Sequence, residues 1–273
     1  MKPRALVLAG YGINCERETA HTLKLAGADP EIVHLSDLLY GEKHLRDFHL
    51  LCFPGGFLDG DHLGAAQAAA HRLRHARIRH SSERLMDQIL EFIAAGKLIM
   101  GICNGFQLLV KLGLLPGLEQ RYGERRVSLT YNDSGRFEDR WVYLRVNPSS
   151  PCIFTRGLSR LYLPVRHGEG KLVVENEEVL SSLREGNQIV LQYIHPTTGQ
   201  PTQEYPYNPN GSVEAIAGIC DPTGRIFGLM PHPEAFHHFT HHPRWTRGEI
   251  WEEPPGLKIF KNAVEYLRDT FLS

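Results

Sequence analysis

No window of this sequence approaches the roughly 18 to 20 uninterrupted apolar residues that a bilayer crossing requires. The N-terminus, MKPRALVLAGYG, reaches a glycine before a signal-peptide apolar region can form. A cytoplasmic protein with no membrane association is expected. Cys-x-x-Cys pairs are missing as well. Five cysteines, Cys15, Cys52, Cys103, Cys152 and Cys220, spread over 273 residues do not make a disulfide framework, so they read as reduced thiols. The net charge of −1 leaves no excess to attract a polyanion, and no nucleic-acid partner is expected. With no internal repeat and no low-complexity linker, residues 1–273 read as a single domain.

What is present is a composition 42% apolar and 22% charged, enough to bury a full core. Fifteen histidines form a surplus that raises metal binding or pH sensing and has to be judged by position. Short apolar runs at 5–9, 31–35, 49–53 and 97–101 alternate with glycine turns and helical patterns, including 16–26, as in a parallel sheet. Two helices are expected within 61–95, with Ser81 and Ser82 as a candidate N-cap between them. The run HRLRHARIRH there has no interleaved aromatics and reads as a solvated helix face. Residues 161–165, 188–193, 215–220 and 225–230 read as strands, the last two joined by the turn Asp221-Pro222-Thr223-Gly224. Behind Pro254-Pro255-Gly256, a stripe of Leu257, Phe260, Val264, Leu267 and Phe271 marks a closing helix. The expected fold class is α/β: an open, mostly parallel central sheet with helices on both faces and extra antiparallel strands in the C-terminal half.

Three segments carry chemistry. Gly101-Ile102-Cys103-Asn104-Gly105 follows an apolar run and opens a helical pattern over 106–112. This is the form of a nucleophile elbow with cysteine as the nucleophile, its flanking glycines relieving crowding at a sharp strand-to-helix turn. Such a turn puts Cys103 at a helix N-terminus, where partial positive charge and free N–H groups favour the thiolate. A nucleophile needs a base, and the base an orienting group. In Met230-Pro231-His232-Pro233-Glu234, prolines hold the chain extended, so that His232 and Glu234 project to one side. Phe53-Pro54-Gly55-Gly56-Phe57 ends another strand, and its glycines can present bare N–H groups to an oxyanion at the carboxyl edge of the sheet.

GICNGFQ at 101–107, PGG at 54–56 and PHPE at 231–234 resemble the motifs of the class I (triad) glutamine amidotransferases, a flavodoxin-like family. GGFLDGD (55–61), GLLPG (113–117), RHGEG (166–170) and NPNGSVEAIAGICDPTGRIFGLMPHPE (208–234) narrow the resemblance to the glutamine amidotransferase subunits of phosphoribosylformylglycinamidine synthase, in de novo purine synthesis. The resemblance implies that Cys103 attacks the side-chain amide of glutamine, that His232 passes a proton to departing ammonia, and that Glu234 holds the imidazole. A γ-glutamyl thioester follows, which water hydrolyses. It also implies N–H groups of Gly56 and Asn104 at the oxyanion, with Gly55 in the same turn, and Gln107 and Gly168 as contacts to bound glutamine. No metal and no cofactor are expected in this chain. With no Walker-type loop here, ATP and magnesium belong to a separate synthetase large subunit, with a small accessory subunit bridging the two. Where the family carries GSNCD, this chain has Gly12-Ile13-Asn14-Cys15-Glu16, and Cys15 reads as a packed loop residue. Residues 235–255 exceed the family's minimal pattern and are expected to form a divergent loop that helps dock the synthetase.

Three other readings compete. Two keep the elbow: an amidotransferase serving another synthetase, and a free-standing cysteine-dependent γ-glutamyl hydrolase. Both fit residues 208–234 less well. The third is a non-catalytic metal-binding protein built on His232, His237, His238, His241 and His242, whose pairs at spacing four share a face if helical. No cysteine or carboxylate cluster completes that ligand set, and Pro243 breaks the element.

Overall fold

The computed structural model describes residues 1–248 and 253–272. The apolar runs become β1 (Arg4–Ala9), β2 (Asp29–His34), β3 (Leu50–Phe53) and β4 (Leu98–Ile102), all parallel and ordered β2-β1-β3-β4. Every residue of β3 and β4 is buried, which is why their sequence shows no polar alternation. The connections carry α1 (Glu16–Ala26), α2 (Leu35–Leu39), α3 (Gln67–His75) and α4 (Leu85–Ala94). From β4 the chain enters α5 (Asn104–Lys111), which starts two residues earlier than its apolar pattern indicates.

Beyond α5 the chain builds β5 (Val127–Thr130), β6 (Glu138–Val146), β7 (Arg160–His167), β8 (Lys171–Val174), α6 (Glu177–Glu185), β9 (Ile189–Tyr193), β10 (Ile216–Cys220), β11 (Ile226–Leu229) and α7 (Pro255–Phe271). β11 pairs parallel with β4, and β10, β9, β6 and β7 extend the sheet antiparallel, giving nine strands among the described residues. β5 and β8 pair separately. Helices α1 and α7 pack on each other, as do α3, α4 and α5, forming the two layers that enclose the sheet. The α/β fold expected from the sequence is the one observed. Phe260, Val264 and Leu267 of the α7 stripe are fully buried, whereas Leu257 and Phe271 only flank the core. Among the described residues no helix is long and apolar enough to cross a membrane.

Two expectations about the 61–95 region are corrected. Neither Ser81 nor Ser82 caps α4: its N-cap is Arg84, whose N–H donates to Asp87 Oδ2 at 2.9 Å, while Ser81 Oγ accepts from the Glu83 N–H at 3.0 Å. The basic run is not wholly a solvated face either. Arg74 reaches inward to donate to the Leu112 carbonyl at 2.7 Å, and Arg72 pairs with Asp59 at 2.9 Å. Both arginines therefore tie α3 to its neighbours.

Two buried polar residues shape the antiparallel half. Asp221, at 0% exposure, accepts from the Arg225 and Ile226 N–H groups, from the Thr223 N–H and hydroxyl, and from the Tyr122 hydroxyl at 2.8 Å. It thereby fixes the turn that aims β11 at β4. His167, at the end of β7, pairs through Nδ1 with Asn132 Oδ1 at 3.1 Å. Burial, aided by the charge of the nearby His232, holds its pKa down at about 3.

Asp221→Ala strands several buried donors and is expected to cost about 3 kcal/mol, read as a lower urea midpoint at unchanged m-value. For His167 the unfolded state binds a proton below about pH 6.5 that the folded state refuses until about pH 3. Stability therefore falls as pH drops through that window, by at most about 1.4 kcal/mol per unit from this one group. Urea titrations at neutral pH and at about pH 4.5 should show a shallower loss in His167→Gln than in the parent.

Candidate active site

Strand β4 passes into α5 through a single residue, Cys103, with φ 51° and ψ −104°. A non-glycine residue on the positive-φ side is strained and persists only where its surroundings over-determine it. Here the Cys103 N–H donates to the Leu229 carbonyl at 2.8 Å, and its carbonyl accepts from the Gln107 N–H at 3.1 Å. The flanking glycines have equally specific reasons. A Cβ on Gly101 would lie 2.6 Å from the Gly105 carbonyl oxygen, and one on Gly105 only 1.9 Å from that of Phe53. The G-x-C-x-G spacing is thus a packing requirement of the elbow. Cys103 is 5% exposed, and its thiol donates to the Arg166 carbonyl at 3.4 Å.

Because β11 lies beside β4, the residues that follow it arrive next to the elbow. The His232 N–H donates to the Pro164 carbonyl at 2.8 Å, and its Nδ1 meets Glu234 Oε1 at 2.6 Å. The pairing arises differently from the expected extended chain: only His232 is extended, and residues Pro233–Ala235 form a 3₁₀ turn that brings the carboxylate back to the ring. Both side chains are almost fully buried. Burial alone would disfavour a charged imidazole, yet the carboxylate of Glu234 and the Cys103 thiol together hold the His232 pKa well above its ordinary value. Gly55 leaves space for the ring, since a Cβ there would stand 2.7 Å from His232 Cε1.

Gly56 adopts φ 142° and pairs as an isolated bridge with Ile13; its N–H makes no hydrogen bond among the described residues. Asn104 is the first residue of α5, where an N–H has no acceptor within its own helix. Gly56, Cys103 and His232 share a cavity of about 110 Å³ whose other walls are Asn14, Cys15, Phe57, Phe137 and Arg166. No protein oxygen other than the backbone and the Asn14 amide borders the space.

The Gln107 side chain does not border this cavity. It is buried, accepts from Asn104 Nδ2 at 3.1 Å and donates to the Glu169 carbonyl at 2.6 Å, while Asn104 Oδ1 accepts from the Leu58 N–H at 3.0 Å. The two amides bind the 166–170 segment and the 55–61 loop to the elbow. Gly168 is half-buried beside the Phe137 ring, its carbonyl accepting from the Asn132 N–H at 3.0 Å.

Cys15 is not the packed loop residue that the sequence implies. It is half-buried in the cavity wall, its thiol donating to Asn14 Oδ1 at 3.2 Å and interacting with His232, and burial pushes its pKa up. The Gly12–Cys15 motif puts it in a loop but carries no signal that the loop lines a cavity. Arg166 stood within RHGEG, whereas Phe137 lies in a segment with no motif. The other three cysteines outside the elbow are buried.

The tail histidines form no helical face. His237 bonds the Glu234 carbonyl at 2.9 Å, and its ring meets those of His241 and His21 edge-on at 4.5 and 5.0 Å. Residues 249–252 of the divergent 235–255 segment lie outside the described residues.

Residues 2–267 match the family model for the CobB/CobQ-like glutamine amidotransferase domain. The chain is 44% identical over 274 residues to the phosphoribosylformylglycinamidine synthase subunit PurQ of Methanococcus maripaludis, covering 97% of each. To the subunit of the same name from Dehalococcoides mccartyi it is 47% identical over 267 residues, covering 98% of each. A chain of the PurLQS structure from Thermotoga maritima superposes with a TM-score of 0.70 at 31% identity, over 98% of this chain and all of that one. The match runs through the elbow, the histidine turn and nearly everything between: this protein belongs to the CobB/CobQ-like glutamine amidotransferase family.

Proposed function

We propose that the chain is the glutaminase subunit of phosphoribosylformylglycinamidine synthase, releasing ammonia from glutamine for a separate ATP-dependent synthetase. One observation carries this reading. Neighbouring strands bring Cys103 and the His232–Glu234 pair to one small cavity, in a chain that matches subunits named PurQ along its whole length.

The reaction starts from a Cys103 thiolate and a His232 imidazolium, the charge state that Glu234 stabilises. The thiolate attacks the side-chain amide carbon of glutamine, and the oxyanion takes the Gly56 and Asn104 N–H groups. His232 gives its proton to the amide nitrogen, ammonia leaves, and a γ-glutamyl thioester remains. Neutral His232 then takes a proton from water, the hydroxide attacks the thioester, and the thiolate departs as glutamate forms. Through Nδ1, Glu234 fixes which imidazole nitrogen does this work. Gly55 admits the ring. Gln107 braces the elbow against the 166–170 segment, and Gly168 is assigned to the amino-acid end of glutamine.

The substrate is a small zwitterion, which a chain of net charge −1 has no electrostatic reason to repel. The partners are the synthetase large subunit and a small accessory subunit, in keeping with the PurLQS structure of Thermotoga maritima. ATP and magnesium act on the synthetase, and this chain works without a cofactor in the cytoplasm. Phe57 and Phe137, 42% and 54% exposed beside the cavity, suit a mouth that the synthetase covers.

The test is glutamine hydrolysis with and without the synthetase. Cys103→Ala should lose about 10⁴-fold or more, and Glu234→Gln about 10²- to 10⁴-fold. The Cys103→Ala complex should still form product from added ammonium. Glutamine turnover that survives Cys103→Ala would overturn the proposal.

A further inference from the structure

The thioester pathway leaves two groups unused: the Cys15 thiol at the cavity and, on the other side of His232, the second carboxylate oxygen of Glu234. Glu234 Oε2 is buried and has no hydrogen-bond partner, and the same holds for His232 Nε2. One donor atom each from Cys15, His232 and Glu234 lie within 4.8 Å of one another. Sulfur, imidazole nitrogen and carboxylate oxygen make a donor set that suits zinc, which takes such ligands tetrahedrally at about 2.0–2.3 Å. Ligand atoms of that tetrahedron stand roughly 3.3–3.8 Å apart, so the ion would take the place of the proton between His232 Nδ1 and Glu234 Oε1, now 2.6 Å apart, with Cys15 rotating in to close the set. Calcium and magnesium, which call for oxygen ligands, do not fit it.

We propose that Cys15, His232 and Glu234 form an inhibitory site for a zinc ion. Binding releases the Cys15 proton and the imidazolium proton of His232 to solvent, so the thiolate and the carboxylate together offset the charge of the ion. An ion here occupies the imidazole that must shuttle protons, and it stands beside the cavity that Cys103 shares. Glutamine hydrolysis stops until the metal is withdrawn. Cys15 takes no step in the hydrolysis itself, so its thiol gives the cavity a ligand that the chemistry does not require.

The inhibition rests on the glutaminase reading, whereas the binding does not, and the test separates them. Zinc chloride is titrated into the complex with the synthetase while glutamine turnover is followed, and into the chain alone by equilibrium dialysis. Cobalt chloride provides a spectroscopic arm, since a thiolate ligand gives cobalt(II) an intense near-ultraviolet band. One zinc per chain, turnover restored by EDTA and a thiolate–cobalt band are expected. Cys15→Ser, with Cys15→Ala as a second variant, should keep the parent's circular dichroism spectrum. Its zinc affinity should fall at least about tenfold, because loss of even an outer partner of a metal ligand costs 10–100-fold. His237→Gln with His241→Gln should leave binding unchanged. The site is overturned if the chain binds no zinc, if the Cys15 variants bind it like the parent, or if only the tail histidines matter. Zinc bound through Cys15 with turnover intact overturns the inhibition, and absence of glutaminase activity in the parent counts against the glutaminase reading alone.

Discussion

At Gly105 the first turn of α5 passes so close to β3 that a methyl group would sit 1.9 Å from the Phe53 carbonyl oxygen. Much of the site follows from this approach. It lets the helix start immediately at the end of β4, which forces Cys103 into a positive-φ backbone and turns its thiol toward the cavity. It also sets Asn104 where its side chain can accept from the Leu58 N–H and reach Gln107. A bulkier residue would push the helix outward and loosen the elbow, the two loops and the Asn104 N–H together.

The second organising effect is electrostatic. Two imidazoles, His167 and His232, are buried to the same 2% exposure, and desolvation acts on both in the same direction. They end in opposite states because of their partners. His167 meets a neutral amide and remains uncharged, while His232 meets a carboxylate and holds its proton tightly. Burial here does not decide protonation; it amplifies whatever charge stands next to the ring. The same isolation leaves Glu234 Oε2 and His232 Nε2 without partners, a cost that a purely structural ion pair would have no reason to keep.

Sequence patterns revealed most of the parallel half, because fully buried strands show unbroken apolar runs and the elbow glycines are demanded by contacts within a few residues. The antiparallel half was less legible. Strand β6, EDRWVYLRV, opens on three consecutive charges and holds only the short run Trp141–Leu144, although it pairs along β7 for eight residues. The cap of α4 was misplaced because Asp87, inside the first turn, does what the serines before it could have done. His232 and Glu234 were paired correctly for a geometric reason that the 3₁₀ turn replaces. Cys15 shows the deeper limit: nothing local distinguishes a cysteine packed in a loop from one lining a cavity, since the wall opposite it comes from β11 and β4.

That seam between β4 and β11 has a temporal side. The nucleophile is synthesised long before the base, and the chain between them makes the whole antiparallel extension before returning to the strand it left. A nascent or truncated chain ending before β11 lacks both the proton shuttle and the Leu229 carbonyl that holds the Cys103 N–H. Competence to split glutamine thus appears only when the last strand docks, so unfinished molecules cannot drain the cell's amide nitrogen. For the same reason, loops within the excursion can lengthen or shorten over evolution without disturbing the chemistry, provided the chain comes home to the same edge.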